Sequence, residues 1–318
     1  MSVKNEMIQL LEQNRGKVLS GQEMADQLGV TRAAIWKAVR VLQEEGYHLG
    51  IVKNKGYYLE EHSDVLSAEG IRLHLPEEYK SLKIEVLKTV DSTNNYAKKM
   101  SSAHSERSLI LAEEQTAGRG RRKRDFYSPY GTGIYMSLVF PVETSLAKFV
   151  PITVAASVAV VRAIRKLTGI ECEIKWVNDI YLHGKKICGI LTEAVSDFES
   201  GMLTTVVVGI GLNVSTQEYP EELQQIAGSL LADGVTRNEL VAAITEELLN
   251  LSEDLEAPEL MEEYKAHSFV IGKEITWLEK DEKKEGFVTG MNEHGHLLVE
   301  TKEGNVTLTA GEISVRTK

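Results

Sequence analysis

Apolar positions in the first sixty residues recur in short bursts at helical spacing. Ser20-Gly21-Gln22-Glu23 sets an N-cap serine three residues before a glutamate, the capping-box pattern that opens a helix. Met24, Ala25 and Leu28 give that helix an apolar side. Gly29-Val30 breaks it and Thr31 caps the next one. There Ile35, Val39 and Leu42 fall at core-facing spacing, while Arg32, Trp36 and Arg40 lie four apart on another side with Lys37 beside them. Gly46 is a C-terminal stop. Two helices joined by a short glycine turn form a helix-turn-helix. Strand-like runs at 47–52 and 57–61 flank Lys53-Asn54-Lys55-Gly56, which predicts a hairpin wing.

The texture changes twice farther on. Residues 63–82, with Val65, Leu66, Ile71, Leu73 and Leu75 ahead of Pro76, read as a helical connection. From 83 to 268 the alternation becomes strand-like at 84–90, 108–113, 133–140, 172–176, 187–193 and 203–214. An apolar helix is predicted at 147–168, with Val150, Val154, Ala155, Val158, Val161 and Ile164 toward the core. A second, at 236–256, opens on the capping box Thr236-Arg237-Asn238-Glu239. Residues 269–318 predict four short strands with turns at 281–284, 292–295 and 303–305. The fold class expected is α+β, with domains at 1–62, 83–268 and 269–318 and a connecting segment at 63–82.

Composition narrows the function classes. The 318 residues carry 36 Lys+Arg against 47 Asp+Glu, a net charge of −11, so any nucleic-acid surface must be a local basic patch. Between Val30 and Tyr57 there are five basic residues (Arg32, Lys37, Arg40, Lys53, Lys55) against Glu44 and Glu45, a local +3 that suits phosphate contacts beside a groove-entering helix. Protein contacts or a solvated basic face are the alternatives. The two cysteines, Cys172 and Cys188, lack metal-type spacing and read as buried thiols in a reducing compartment. The opening residues hold no long apolar stretch and no run approaches eighteen apolar residues, so a cytoplasmic chain without membrane contact is expected.

Four clusters carry candidate chemistry. Asp91-Ser92-Thr93-Asn94 follows a strand and starts a helix; these residues cap it or hold a polar ligand head. Gln115-Thr116-Ala117-Gly118-Arg119-Gly120-Arg121-Arg122-Lys123-Arg124 joins two glycines, which let backbone approach an anion, to forked phosphate donors. An RNA-binding tract or a solvated charge run would look similar. Lys175-Trp176-Val177-Asn178-Asp179, followed by Lys186 in the next strand, offers a point charge for a carboxylate or phosphate and an oxygen ligand for magnesium; a Lys175–Asp179 ion pair at a turn is the structural alternative. Gly209-Ile210-Gly211-Leu212-Asn213 places glycines inside a strand, for close ligand approach or for tight packing. It lacks the third glycine and following helix of a dinucleotide fingerprint.

Taken together, DSTN at 91–94, GRGRR at 118–122, KWxND at 175–179, KxxGIL at 186–191 and GxGxN at 209–213 resemble the bacterial biotin–protein ligase and biotin-operon repressor family, in order and across nearly the whole chain. The resemblance implies a winged helix-turn-helix, a central mixed-sheet ligase domain and a C-terminal small SH3-like β-barrel. It implies that biotin's carboxylate attacks the α-phosphate of ATP, and that a lysine on a carboxylase's biotin carrier domain then attacks the biotinyl-5′-adenylate. By match, Ser92, Thr93, Asn94, Gln115, Arg119, Gly120, Arg121, Lys186, Gly209 and Gly211 would contact biotin. Arg121, Arg122, Phe126, Lys175, Asn178 and Asn213 would serve ATP, with Asp179 toward magnesium. Lys186, Arg119, Arg121 and Asp179 are the expected catalytic set. Arg32, Trp36, Lys37, Arg40, Lys53 and Lys55 would meet operator DNA, in a homodimer that forms when adenylate is bound. The chain departs from the pattern at Lys123 for a common glycine, Val177 for a frequent proline, and Phe126 for an aromatic, often tryptophan, that stacks on adenine. Two rivals are a biotin-sensing transcription factor without catalysis and a related ligase using lipoate.

Overall fold

The computed structural model describes residues 2–100, 106–144, 149–196, 203–279, 282–309 and 313–315. Ala147 and Asp281, and the side chains of Lys123 and Val150, lie outside the described residues. The chain divides into two compact units, Met1–Ser81 with Val235–Ala243, and Leu82–Gly234 with Ile244–Lys318.

In the first unit, α1 (Val3–Gln13), α2 (Gly21–Gln27), α3 (Arg32–Glu44) and the hairpin of β1 (Leu49–Val52) and β2 (Gly56–Leu59) enclose one core. Met7, Leu11, Met24, Ile35, Val39, Leu42 and Leu59 are each at most 2% exposed. The local signals act as read. Glu23 N–H donates to Ser20 Oγ at 3.0 Å while Glu23 Oε2 accepts from Ser20 N–H at 3.4 Å, and Thr31 Oγ1 accepts from Ala34 N–H at 3.2 Å. Leu19 pairs with Tyr57 through an isolated antiparallel bridge, and a Cβ at Gly56 would lie 1.9 Å from Leu19 O, so only glycine fits that turn. The segment expected as a connection folds into this unit: α4 (Ala68–His74) follows a Ser67 cap and buries Ile71 completely. Arg237, 1% exposed, is neutralised there by Asp64, whose Oδ1 and Oδ2 accept from its backbone N–H at 2.8 Å and its Nε at 3.0 Å. A buried guanidinium needs such pairing.

The second unit is built on a seven-stranded sheet in the order β3-β4-β5-β9-β8-β7-β6, with β3 and β4 parallel and the other neighbours antiparallel. Its strands are β3 (Lys83–Val90), β4 (Ser108–Gln115), β5 (Gly133–Thr144), β6 (Glu173–Lys175), β7 (Asp179–Leu182), β8 (Lys185–Ser196) and β9 (Leu203–Asn213). Strand β7 was not among the expected ones; its four residues are too short to establish alternation. Helix α5 (Thr93–Met100) packs Ala97 on Ile110, Val139 and Val207. Helix α6 (Phe149–Thr168) lies against β8 and β9 and beside α8 (Pro258–His267), tied by Arg162 to Glu263 and to Glu247 of α7 (Arg237–Ser252). The C-terminal residues form a five-stranded antiparallel sheet, β13-β12-β11-β10-β14, from β10 (Glu274–Glu279), β11 (Glu282–Met291), β12 (Leu297–Thr301), β13 (Gly304–Leu308) and β14 (Ile313–Val315). The fifth strand, three residues long, exceeds the four expected. The α+β class stands.

Candidate functional site

The end of β4, the start of α5, the middle of β8 and the last residues of β9 surround a cavity of about 430 Å³ in the second unit. One wall is polar and already ordered. Ser92, Thr93 and Asn94 are 2–4% exposed although the sequence there is wholly hydrophilic. They stay buried because every group is matched. Gln115 Oε1 accepts from Thr93 N–H and Oγ1 at 2.9 and 3.2 Å, and its Nε2 donates to Ser128 Oγ at 2.9 Å. Asn94 Nδ2 donates to Leu191 O at 3.0 Å and Glu193 Oε2 at 2.8 Å, and its Oδ1 accepts from Ser137 Oγ at 2.7 Å. Lys98 holds the other oxygen of Glu193 at 2.6 Å.

Other lining residues are cationic. The arginine loop closes on itself, Gly120 N–H donating to Arg124 O at 2.7 Å and Phe126 N–H to Gly118 O at 2.9 Å. Arg119, Gly120, Arg121 and Arg124 line the cavity, and Arg121 donates to Asn178 Oδ1 at 3.2 Å. Arg122 takes a left-handed φ of 54°, is exposed and does not line it. Lys186 is aimed by a bulge. Strand β7 pairs Ile180 with Cys188 but Tyr181 with Lys186, leaving Ile187 as the extra residue; such bulges redirect side chains beside functional sites. The backbone of Lys186 is pinned on its other side, its N–H on Ile226 O and its O accepting from Gly228 N–H, both at 2.9 Å. Its Nζ lies 2.6 Å from Asp179 Oδ1.

That pair bears on the Lys175 alternative. Although Lys175 and Asp179 face each other in the β6–β7 register, Asp179 pairs with Lys186, while the ammonium of Lys175 sits 5.6 Å from the centre of the Tyr181 ring. Burial, and then the negative charge of Asp179, push the Tyr181 hydroxyl up to about 12. Apart from the Lys186 ammonium, Asp179 Oδ1 has no hydrogen-bond partner among the described residues, so the carboxylate keeps an oxygen at the cavity wall of the kind a hard cation takes. Asn213, 5% exposed, donates through Nδ2 to Gly228 O at 3.0 Å, while its Oδ1 has no hydrogen-bond partner among the described residues, an acceptor available at the cavity wall.

The two strand glycines make room for side chains of the protein itself. A Cβ on Gly209 would lie 2.2 Å from Asn94 Oδ1, and one on Gly211 would lie 2.5 Å from the Phe126 ring, which also rests 3.4 Å from where a Cβ on Gly189 would be. The structure thus brings Ser92, Thr93, Asn94, Gln115, Arg119, Gly120, Arg121, Phe126, Lys175, Asn178, Asp179, Lys186, Gly209, Gly211 and Asn213 to one cavity. Sequence reasoning missed Ser137 and Glu193. A serine inside the apolar run 134–140 was a usable signal for the first. It also missed Tyr219, Leu223, Ile226 and Ala227, which line the cavity from an irregular segment with no distinguishing pattern.

In the first unit, Arg32, Trp36, Lys37 and Arg40 are exposed on α3, and Lys53 and Lys55 are exposed at the wing tip. Trp36 is 54% exposed, and the Arg40 guanidinium lies 5.3 Å from the centre of its ring. An exposed tryptophan under an arginine, on a helix whose other side is core, is a surface prepared for contact.

Comparison with known proteins assigns each region. Residues 3–58 match the HTH domain family, residues 86–213 the biotin/lipoate A/B protein ligase family, and residues 270–316 the biotin protein ligase C terminal domain. The bifunctional ligase/repressor BirA of Bacillus subtilis is 32% identical over 329 aligned positions, which span 99% of each chain. That of Escherichia coli is 30% identical over 308, covering 95% of this chain and 94% of the relative. A solved biotin protein ligase from Aquifex aeolicus in complex with biotin and ATP superposes with a TM-score of 0.61 at 28% identity, covering 74% of this chain and 99% of that one.

Proposed function

This chain belongs to the bifunctional biotin ligase and repressor family, and from that premise we propose a division of labour between its residues. The chain ligates biotin to protein at the expense of ATP and represses transcription. The observation that carries the site assignment is the convergence of a cationic wall (Lys186, Arg119, Arg121) and a saturated polar wall (Ser92, Thr93, Asn94, Gln115) on a single cavity.

Adenylation brings two anions together, a carboxylate and a triphosphate, and their repulsion is the first barrier. Positioned cations lower it most when they meet charge that develops in the transition state. In this reading the polar wall orients the vitamin, Lys186 and Arg121 draw its carboxylate toward the α-phosphorus, and Asn178 and Asn213 meet the nucleotide. A carboxylate oxygen then bonds to the α-phosphorus as pyrophosphate leaves. In the second step an acceptor lysine attacks the acyl carbon and AMP departs. Positioning and charge neutralisation serve both steps, and the proton that the acceptor amine sheds in the second leaves with AMP or to solvent. Asp179 would hold a magnesium ion that accompanies ATP, and the ion would offset phosphate charge. When the ligand arrives, Lys186 exchanges Asp179 for the substrate anions.

The acceptor is the biotin carrier domain of a carboxylase, and the setting is cytoplasmic; no helix among the described residues is long and apolar enough to cross a membrane. Operator DNA is read by α3 and the wing in an adenylate-dependent homodimer, whose two-fold symmetry requires a two-fold site. Incubation with ATP, biotin and a carrier domain, followed by streptavidin detection, is expected to give labelled carrier. A gel shift on the promoter of the biotin genes is expected to tighten when biotin and ATP are added together. Absence of labelling removes the ligase assignment. Retardation indifferent to both ligands, with an unchanged sedimenting mass, removes the adenylate switch.

A further inference from the structure

The first unit gathers a second set of donor atoms. His48, Glu60 and His62 each present one ligand atom, and the three atoms lie within 4.8 Å of one another. We propose that these side chains form a binding site for one divalent transition-metal ion of the zinc class, at the root of the wing.

Strand geometry puts them together. The β1–β2 register pairs Leu49 with Leu59, so the next pair outward is His48 with Glu60, closed by Glu60 N–H donating to His48 O at 3.0 Å. His62 lies two residues beyond Glu60 in a tight turn, closed by Ser63 N–H donating to Glu60 O at 3.1 Å, that folds the chain back after β2. The backbone that carries them is fixed without help from an ion. Arg15 donates to the carbonyl oxygens of Glu60, Glu61 and Ser63 at 3.2, 3.1 and 2.7 Å, and is itself held by Glu12 at 2.6 Å. His48 N–H donates to Ser63 Oγ at 3.1 Å. A ligand set on a clamped backbone binds with less ordering cost than one on a mobile loop.

The side chains have already converged. His62 Nε2 is 3.1 Å from Glu60 Oε2, and the two imidazole rings lie 4.9 Å apart with planes at 59°. A His62–Glu60 ion pair explains two of the three groups and leaves His48 without a reason to meet them. The donor set decides the ion: two imidazoles and one carboxylate suit zinc, copper or nickel, whereas calcium and magnesium take oxygen ligands. Three protein ligands leave the remaining coordination positions to water. An ion there ties the chain entering the wing to the chain leaving it, at the end of the hairpin opposite Lys53 and Lys55.

The test is Zn2+ titration of the full-length, chelator-stripped chain against a chromophoric chelator, with His48→Gln, His62→Gln and Glu60→Gln alongside. The wild type is expected to take up one equivalent more than either histidine variant. Each substitution is expected to weaken that equivalent by at least about 10–100-fold, the range that supporting groups around a metal alone command. Co2+ in place of Zn2+ is expected to give visible d–d absorption that disappears in the same variants. Unchanged circular dichroism and carrier biotinylation show that the variants are folded. Equal stoichiometry and affinity in all four proteins would place the zinc elsewhere, for example at the neighbouring rings of His294 and His296, and overturn the proposal. So would the absence of any wild-type uptake at millimolar Zn2+.

Discussion

Lys186→Ala separates two roles that one side chain combines. Its Nζ lies 2.6 Å from Asp179 Oδ1, with the two side chains 33% and 23% exposed. At an effective dielectric constant of about 20, attraction at that separation is roughly 6 kcal/mol gross. Dehydration of both groups, and the access that water keeps to them, reduce the net to about 1–2 kcal/mol. Alanine removes the attraction and strands a half-buried carboxylate, so the single variant is expected to lose about 1–3 kcal/mol of stability. Adding Asp179→Asn removes the stranded charge and restores most of that loss. Adenylation obeys a different rule. Removing a group that meets charge in the transition state costs about 10²–10³ in rate, or roughly 3–4 kcal/mol of barrier, and nothing done at Asp179 returns the cation. Urea unfolding followed by tryptophan fluorescence and single-turnover pyrophosphate release, run on wild type, both single variants and the double, complete the cycle. Recovery of pyrophosphate release in the double variant would mean that Lys186 acts by holding Asp179. A wild-type rate in Lys186→Ala would remove the lysine from the reaction altogether.

Three further outcomes follow from other parts of the molecule. Arg32→Ala combined with Arg40→Ala is expected to weaken operator binding and to lower the slope of log affinity against log salt by up to about two, at roughly 0.9 for each phosphate no longer neutralised; gel shifts across a salt series read the slope, and carrier biotinylation is expected to be unchanged. Gly209→Ala sets a methyl 2.2 Å from Asn94 Oδ1 and displaces an amide held by Ser137, Leu191 and Glu193; calorimetry is expected to show biotin binding about tenfold weaker, the equivalent of one buried hydrogen bond. The hydrogen bond and charge of Arg162 hold the Glu263 carboxyl below its ordinary value of 4.5. Stability from this pair is present above that value and lost as pH falls through it and below, so the melting temperature of Glu263→Gln is expected to change less between pH 6 and 3.5 than that of the wild type.

What could be read from the sequence was what local chemistry fixes. The Ser20–Glu23 box, the Thr31 cap and the spacing of Ile35, Val39 and Leu42 depend on neighbours within a turn or two, and each is found where the spacing places it. What could not be read depends on distant partners. Segment 63–82 has the apolar content of a connecting helix, yet it belongs to the first unit because Asp64 and Ser67 meet Arg237 and Asn238 across more than 170 residues of chain. Glu193 looks like any strand acid until Asn94 and Lys98 arrive on it. The spacing of Lys175 and Asp179 offers only their own turn pair, whereas the Lys186 ammonium that Asp179 meets comes from a one-residue bulge in β8.

The motifs themselves are less independent than their separation along the chain suggests. Gly209 is small because Asn94 occupies the space above it, and Gly211 is small because the Phe126 ring does. Gly118 is small because Phe126 O and Ser128 Oγ would meet its Cβ at 2.4 and 2.6 Å. The strand glycines, the helix-start asparagine and the aromatic at 126 are therefore one packing constraint written in three places. The residue at 126 accordingly answers to Gly211 as well as to any base stacked on it. A tryptophan there has to fit the same gap over Gly211 with a larger ring. The phenylalanine departure is thus a change in the fit of the protein to itself, and its first consequence falls on the sheet beneath the ring before it falls on the nucleotide.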